Sequence, residues 1–411
     1  MSLIRDVSLA ASGEKKIRWV ERNMPVLRGI GEDFAKTKPF AGLNIALSVH
    51  MEAKTAYLCR VLEMAGAKVY ATGSNPLSTQ DDVAAAVAEG GIEVFARHGC
   101  DMQEYEECLC KALECGPAII IDDGGDMVQL MNTKYAHLIP GVLGGCEETT
   151  TGIHRLHILE RAGQLRFPMV MVNEADCKHM FDNRYGTGQS VWDGIMRTTN
   201  LIVAGKTVVV SGYGWCGKGV SMRAKGLGAK VIVTETDPVR ALEAYMDGYE
   251  VMPMAEAAKK GDIFVTVTGC SGVIPKEYFP LMKDGAILTN AGHFDVEVDM
   301  AGLRELAVEQ YEARHNIQGF VLPNGKTLFA IAEGRLVNLA AGDGHPAEIM
   351  DMSFAIQALS CAYLVSNRGK LSPGTVPVPR EIDEAVARRK LKAMGVAIDT
   401  LTDEQRAYIG C

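Results

Sequence analysis

The stretch VVVSGYGWCGKG, residues 208–219, constrains this chain more than any other part of it. Gly212, Gly214 and Gly217 follow a β-branched run and open a segment of helical pattern. A strand that turns into a helix through G-x-G-x-x-G uses each glycine differently. One makes the turn, one lets the backbone approach a pyrophosphate, and one lets helix and strand pack closely. The helix N-terminus, with Trp215 and Cys216 in its first turn, then faces the phosphate charge. Glu235 lies 23 residues after Gly212, at the end of the next β-rich run. An acid there accepts hydrogen bonds from a ribose 2′-hydroxyl and repels a 2′-phosphate, so the expected cofactor is NAD rather than NADP. Arg240 nearby weakens that preference only slightly. The alternative is a glycine-rich turn without a ligand.

Around this motif the chain alternates strand and helix twice. The first alternation reads as strands at 44–49, 68–71, 93–96 and 118–121, with helices at 53–64, 79–89 and 104–113 between them. The second reads as strands at 207–211, 230–234, 263–268 and 286–290. Short β-rich runs separated by amphipathic helices imply parallel strands with right-handed crossovers. Asn324-Gly325, between 320–322 and 327–331, signals a hairpin. The expected fold is α/β: two doubly wound Rossmann-like domains with a hinge and a helical C-terminal segment. Residues 1–182 and 346–390 are assigned to a discontinuous substrate-binding domain, 183–345 to the NAD-binding domain and 391–411 to a helical tail. The polar stretch FDNRYGTGQS (181–190) reads as the hinge, with a second crossing near 342–346.

At 411 residues, with 47% hydrophobic and 23% charged residues, two buried cores are affordable. A net charge of −9, spread along the chain, argues against nucleic acid or an anionic membrane as partner. Arg5 and Asp6 interrupt the only apolar stretch of the N-terminus, and no apolar run was found to approach the roughly 18 residues of a membrane span. The expected location is therefore cytoplasmic. The 11 cysteines show no paired CxxC spacing; Cys108, Cys110 and Cys115 read as scattered buried thiols rather than a metal site.

In the first alternation polar residues collect at strand ends, where open α/β sheets place ligands. His50 follows the first strand and Asp122-Asp123 the strand AIII, ahead of Gly124-Gly125. For Asp123 the alternative is a helix N-cap, and for His50 an ordinary capping or core histidine. Glu147-Glu148 precede Thr149-Thr150-Thr151, which offer hydroxyl and amide donors to a cofactor or simply cap a helix. Lys178 and Asp182-Asn183 flank the expected hinge, or form a solvated ion pair.

Taken in order, these pieces carry a resemblance. HMEAKT (50–55), NPLSTQDD (75–82), DDGGD (122–126), EETTTG (147–152), FDN (181–183), GYGxxGKG (212–219), GHFD (292–295), AEGRLVNL (332–339) and GHP (344–346) follow one another as in the S-adenosylhomocysteine hydrolases. The chain resembles that family over roughly residues 24–409. The resemblance implies a hydrolysis with hidden redox chemistry: the ribose 3′-hydroxyl is oxidised by tightly held NAD, homocysteine is eliminated from C5′, water adds, and the hydride returns. It implies Lys178 with Asp182 at the 3′-hydroxyl, which requires a lysine of lowered pKa. Asp123 and His50 would move protons at C4′ and the leaving sulfur, and Glu148 would hold the ribose hydroxyls. Thr149, Thr150, Thr151, Asn183, Ala291, Gly292, His293 and Asn338 would contact the cofactor. His293 would also be catalytic, and His345 would lie near cofactor and base.

Three departures stand out. Where adenosine-using members carry Thr and Glu, this chain has Glu52 and Lys54. A lysine only donates hydrogen bonds, which suits a carbonyl at purine C6. With Asp343 replacing an apolar residue of the base pocket, S-inosylhomocysteine becomes an alternative substrate to S-adenosylhomocysteine, unless Lys54 points into solvent. Thr187 stands where a cysteine is usual. The family usually carries a longer tail whose Lys and Tyr reach a neighbouring subunit's cofactor, so NAD is expected to be held less tightly here. The expected partner is a purine-nucleoside thioether, and the expected assembly a homo-oligomer, tetramer or dimer. A conventional NADH-releasing dehydrogenase and an inactive NAD sensor are the rival readings.

Overall fold

A computed structural model describes residues 2–292 and 295–410. The first sheet takes β1 (Asn44–Ser48), β2 (Lys68–Thr72), β3 (Glu93–Phe95), β4 (Ile119–Asp122), β5 (Gly144–Glu147) and β6 (Pro168–Met171). The second takes β7 (Thr207–Ser211), β8 (Lys230–Thr234), β9 (Glu250–Val251), β10 (Ile263–Thr266), β11 (Ile287–Asn290), β12 (Glu309–Arg314), β13 (Ile317–Val321) and β14 (Thr327–Ile331). The last strand, β15 (Gly374–Pro377), returns to the first sheet beside β6.

The first sheet runs β15-β6-β5-β4-β1-β2-β3 with every neighbouring pair parallel. The second runs β12-β13-β14-β11-β10-β7-β8-β9, parallel except for the antiparallel β12-β13-β14 meander at one edge. In each, strand order reverses beside the first strand of the unit, between β1 and β4 and between β7 and β10. A crevice opens at the carboxyl ends of the strands at such a reversal. The α/β class and both doubly wound sheets are as expected from sequence.

Other features differ from expectation. The stretch 181–190, read as the hinge, is helical: a π-helical run, His179–Gly186, passes directly into the helix Thr187–Thr199. Glycines permit this join to lie close against the dinucleotide helix Trp215–Gly226. A Cβ on Gly219 would sit 1.7 Å from Arg184 O, and one on Gly188 2.7 Å from the Gly219 carbonyl carbon. The helix Ala347–Ser366 is long and apolar enough to cross a membrane by length and composition, which corrects the reading that no such run exists. It packs against Pro25–Thr37, Ala53–Met64 and β5, and 67% of its apolar window is buried. A helix surrounded by protein is apolar all round.

Candidate active site

The fingerprint turn has the strained geometry its glycines allow. Gly212 has φ +101°, and a Cβ on Gly217 would lie 1.9 Å from Gly212 O. Around Gly214 the nearest atom to an added Cβ is Arg240 Nη1, at 3.7 Å. Trp215 and Cys216 begin the helix, whose N-terminus has no side-chain cap. Glu235 binds the turn itself: Oε2 accepts from Tyr213 N (2.7 Å) and Oε1 from Thr236 N (2.7 Å). The residues present therefore fit a dinucleotide, with open backbone at Gly214, a helix N-terminus for the phosphates and an acid at the end of β8.

In the first sheet His50 and Asp123 meet at the β1/β4 reversal. His50 Nε2 lies 3.4 Å from Asp123 Oδ2, which also accepts from Ser74 Oγ (2.9 Å). His50 Nδ1 lies 2.7 Å from Ser78 Oγ, whose hydroxyl donates to Asn75 O (3.1 Å). That commitment makes Nδ1 the donor to Ser78 and leaves Nε2 facing Asp123. Asp123 is not a helix cap. The following helix, Asp126–Asn132, has Gly125 as its N-cap with no side-chain cap bond, and it is Asp122 that accepts from Val128 N (2.9 Å). Burial pushes the Asp122 carboxyl up to about 8.

The second cluster is denser. Lys178, 4% exposed, donates to Asn183 Oδ1 (2.8 Å) and Asn173 Oδ1 (3.2 Å). It pairs with Asp182 Oδ2 (3.2 Å) and Glu148 Oε1 (3.6 Å). Gln357 Nε2 donates to Glu148 Oε2, Ser353 Oγ donates to Asp182 Oδ2 (2.8 Å), and His345 Nδ1 bonds Asp182 Oδ1. Burial works to lower the Lys178 ammonium, but Asp182 and Glu148 outweigh it and push it up to about 12. The direction is opposite to the lowering that the resemblance implies, because two buried acids stabilise the charged form. Burial pushes the Glu148 carboxyl up to about 7 despite Lys178. Burial opposes ionisation of Asp182, yet Lys178 and His345 hold it well below the usual carboxylate range.

Thr187 joins this cluster to the dinucleotide loop. Its hydroxyl lies 3.2 Å from His345 Nε2 and 3.7 Å from Cys216 Sγ. His345 thus serves Asp182 and Thr187. Of the threonines, Thr149 caps the helix Thr150–Arg161, accepting from Gly152 N (3.2 Å) and donating to Glu147 Oε1 (3.0 Å). Thr150 Oγ1 accepts from Asn173 Nδ2 (3.1 Å). Thr151 Oγ1 would lie 3.8 Å from a Cβ on Gly269, so it faces the loop after β10. Ala291 N donates to Thr266 O and Gly292 N to Asn290 Oδ1, holding the loop after β11. Asn338 is buried with its Oδ1 lacking a hydrogen-bond partner, as a side chain awaiting a ligand amide would be. His293 lies outside the described residues.

Lys54 does not reach solvent. It is 6% exposed, pairs with Glu52 Oε2 (2.6 Å) and donates to Asp343 O (2.9 Å). Glu52 caps the helix Ala53–Met64, accepting from Lys54 N and Thr55 N. The Asp343 side chain turns outward, 81% exposed and 3.5 Å from Arg197, so only its carbonyl joins this group. Sequence reading missed Ser74, Asn173, Ser353 and Gln357, which complete the clusters through the fold. Ser78 was within reach, since it sits in the NPLSTQDD motif.

A model of S-adenosyl-L-homocysteine hydrolase matches residues 2–135, and one of that family's NAD-binding domain matches 183–344. The chain is 59% identical over 406 residues to adenosylhomocysteinase of Thermococcus kodakarensis, covering 99% of this chain and 96% of that protein. It is 56% identical over 398 residues to adenosylhomocysteinase of Thermotoga maritima, with 97% and 98% covered. It is also 56% identical over 409 residues to S-inosyl-L-homocysteine hydrolase of Methanococcus maripaludis, with 100% and 98% covered.

Proposed function

The chain belongs to the S-adenosyl-L-homocysteine hydrolase family, and from that premise we propose how its residues carry out NAD-dependent, reversible hydrolysis of S-adenosyl-L-homocysteine to adenosine and homocysteine through a 3′-keto intermediate. The observation that carries the reading is the link Lys178–Asp182–His345–Thr187–Cys216, which joins a buried proton-handling cluster to the dinucleotide turn. When bound, NAD supplies the acceptor and later the donor of a hydride at the ribose 3′-carbon.

Glu148, whose carboxyl titrates near neutrality, takes the proton released from the 3′-hydroxyl, while Lys178, held charged beside it, stabilises the negative charge that develops on the 3′-oxygen. Asp182 keeps the ammonium in place, while Ser353 and His345 hold Asp182. Asp123 and His50 Nε2 exchange the protons at C4′ and at the leaving sulfur. Asn183 and Asn338 with the threonines orient the cofactor. We read residues 1–182 with 346–390 as the substrate lobe, 183–345 as the cofactor lobe and 391–411 as a tail, in a cytoplasmic homo-oligomer.

Lys54 favours a second reading, S-inosyl-L-homocysteine as a substrate. Its ammonium has three donors, two directed at Glu52 and Asp343 O, and the third suits a C6 carbonyl. Catalytic efficiency on the two thioethers decides between them. The inosyl reading expects a ratio favouring the inosyl substrate by about tenfold, one charge-assisted hydrogen bond, and its reversal in Lys54→Gln. An adenosyl preference in the wild type would remove it. The shared chemistry is tested by denaturing the purified protein: NAD should be released, and no net NADH should accumulate during turnover.

A further inference from the structure

Glu297 has no part in the chemistry above, yet its carboxylate is fully buried. Thr268 N (2.9 Å) and Thr268 Oγ1 (2.7 Å) donate to its Oε2, and Gly269 N (2.8 Å) to its Oε1. On the other side Oε1 abuts Gly292, where an added Cβ would lie only 1.9 Å away. Backbone bonds extend the junction: Gly272 N donates to Val296 O and Ile274 N to Glu297 O. One side chain therefore spaces the loop after β10 from the loop after β11.

These loops lie over the half of the sheet opposite Glu235. In a sheet of two mononucleotide-binding halves, the acid at the end of β8 marks the adenosine side, so the β10–β11 half receives the second nucleotide. The loop that Glu297 grips also faces Thr151 across the cleft. We propose that Glu297 is a positioning residue whose carboxylate sets the 268–270 and 291–292 loops and thereby forms the pocket for the nicotinamide half of NAD. The proposal rests on NAD occupying this lobe.

The test is a partition measurement on the full-length chain. Wild type, Glu297→Gln and Thr268→Val are equilibrated with a mixture of NAD and ADP-ribose, which lacks nicotinamide, and the retained nucleotides are quantified after denaturation. Misfolded protein retains neither, so the ratio of the two reports only folded molecules. Loss of hydrogen bonds to a charged acceptor should lower the NAD to ADP-ribose ratio about tenfold in both variants. A ratio within about threefold of wild type, with total nucleotide altered or not, overturns the positioning role. Retention of neither nucleotide by the wild type would instead overturn the NAD premise and the proposal with it.

Discussion

Lys178 and Glu148 show how little of a buried residue's character resides in its own type. Lys178 was legible as a candidate because it stands four residues before Asp182, but its charge state was not. That depends on burial, on Asp182 at 3.2 Å, and on Glu148, 30 positions away in sequence, arriving at 3.6 Å. Replacing Lys178 with Met should lower kcat by about 10²–10⁴-fold while NAD stays bound; steady-state kinetics with nucleotide quantitation checks this, and a loss under tenfold would contradict it. Glu148 makes stability pH-dependent. Its folded value near 7 lies above the ordinary 4.5, so the folded chain binds this proton more tightly than the unfolded chain. Its contribution is full below about pH 4.5 and is lost as pH rises through 7, up to about 3 kcal/mol. In urea unfolding, Glu148→Gln should gain on wild type as pH rises across that window and then level off. A difference independent of pH would contradict it.

Among elements, those with strong period or β-branched runs were readable, as β1, β4, β7, β8 and the hairpin β13-β14 show. Others carry no such signal. β5 is GGCE, whose glycines admit close neighbours: a Cβ on Gly145 would lie 2.5 Å from Met169 Sδ. β12 is exposed throughout and charged, as an edge strand must be to avoid pairing with another chain. The helical form of the 181–190 stretch carried no apolar period because polar residues take buried positions in it, as Asp182 and Asn183 do. Packing of this join against the dinucleotide helix makes a sharp prediction. Gly219→Ala places a methyl 1.7 Å from Arg184 O and should cost about 1–3 kcal/mol or more, with loss of bound NAD. Unchanged denaturant midpoint and nucleotide content would show that the two helices need not approach so closely.

For the whole molecule, the proposed catalysis depends on side chains that link the two sheet units, as Lys178, Asp182, His345 and Thr187 do. Each crevice is organised by a buried glutamate. Glu147 accepts from Gly124 N, Thr149 N and Thr149 Oγ1 in the first, as Glu297 does from Gly269 N, Thr268 N and Thr268 Oγ1 in the second. The residues that close the site, His345, Thr187 and Lys54, each reach a partner distant in sequence. That is why composition and periodicity revealed the two parallel sheets, while motif order was needed to point to a shared function. NAD should stabilise the chain by mass action, about 2.7 kcal/mol at a hundredfold excess over Kd. The most direct test of the account removes NAD completely from the purified chain and follows thioether cleavage before and after NAD is restored. Cleavage should vanish without the cofactor and return with it; undiminished cleavage by the stripped chain would contradict the account.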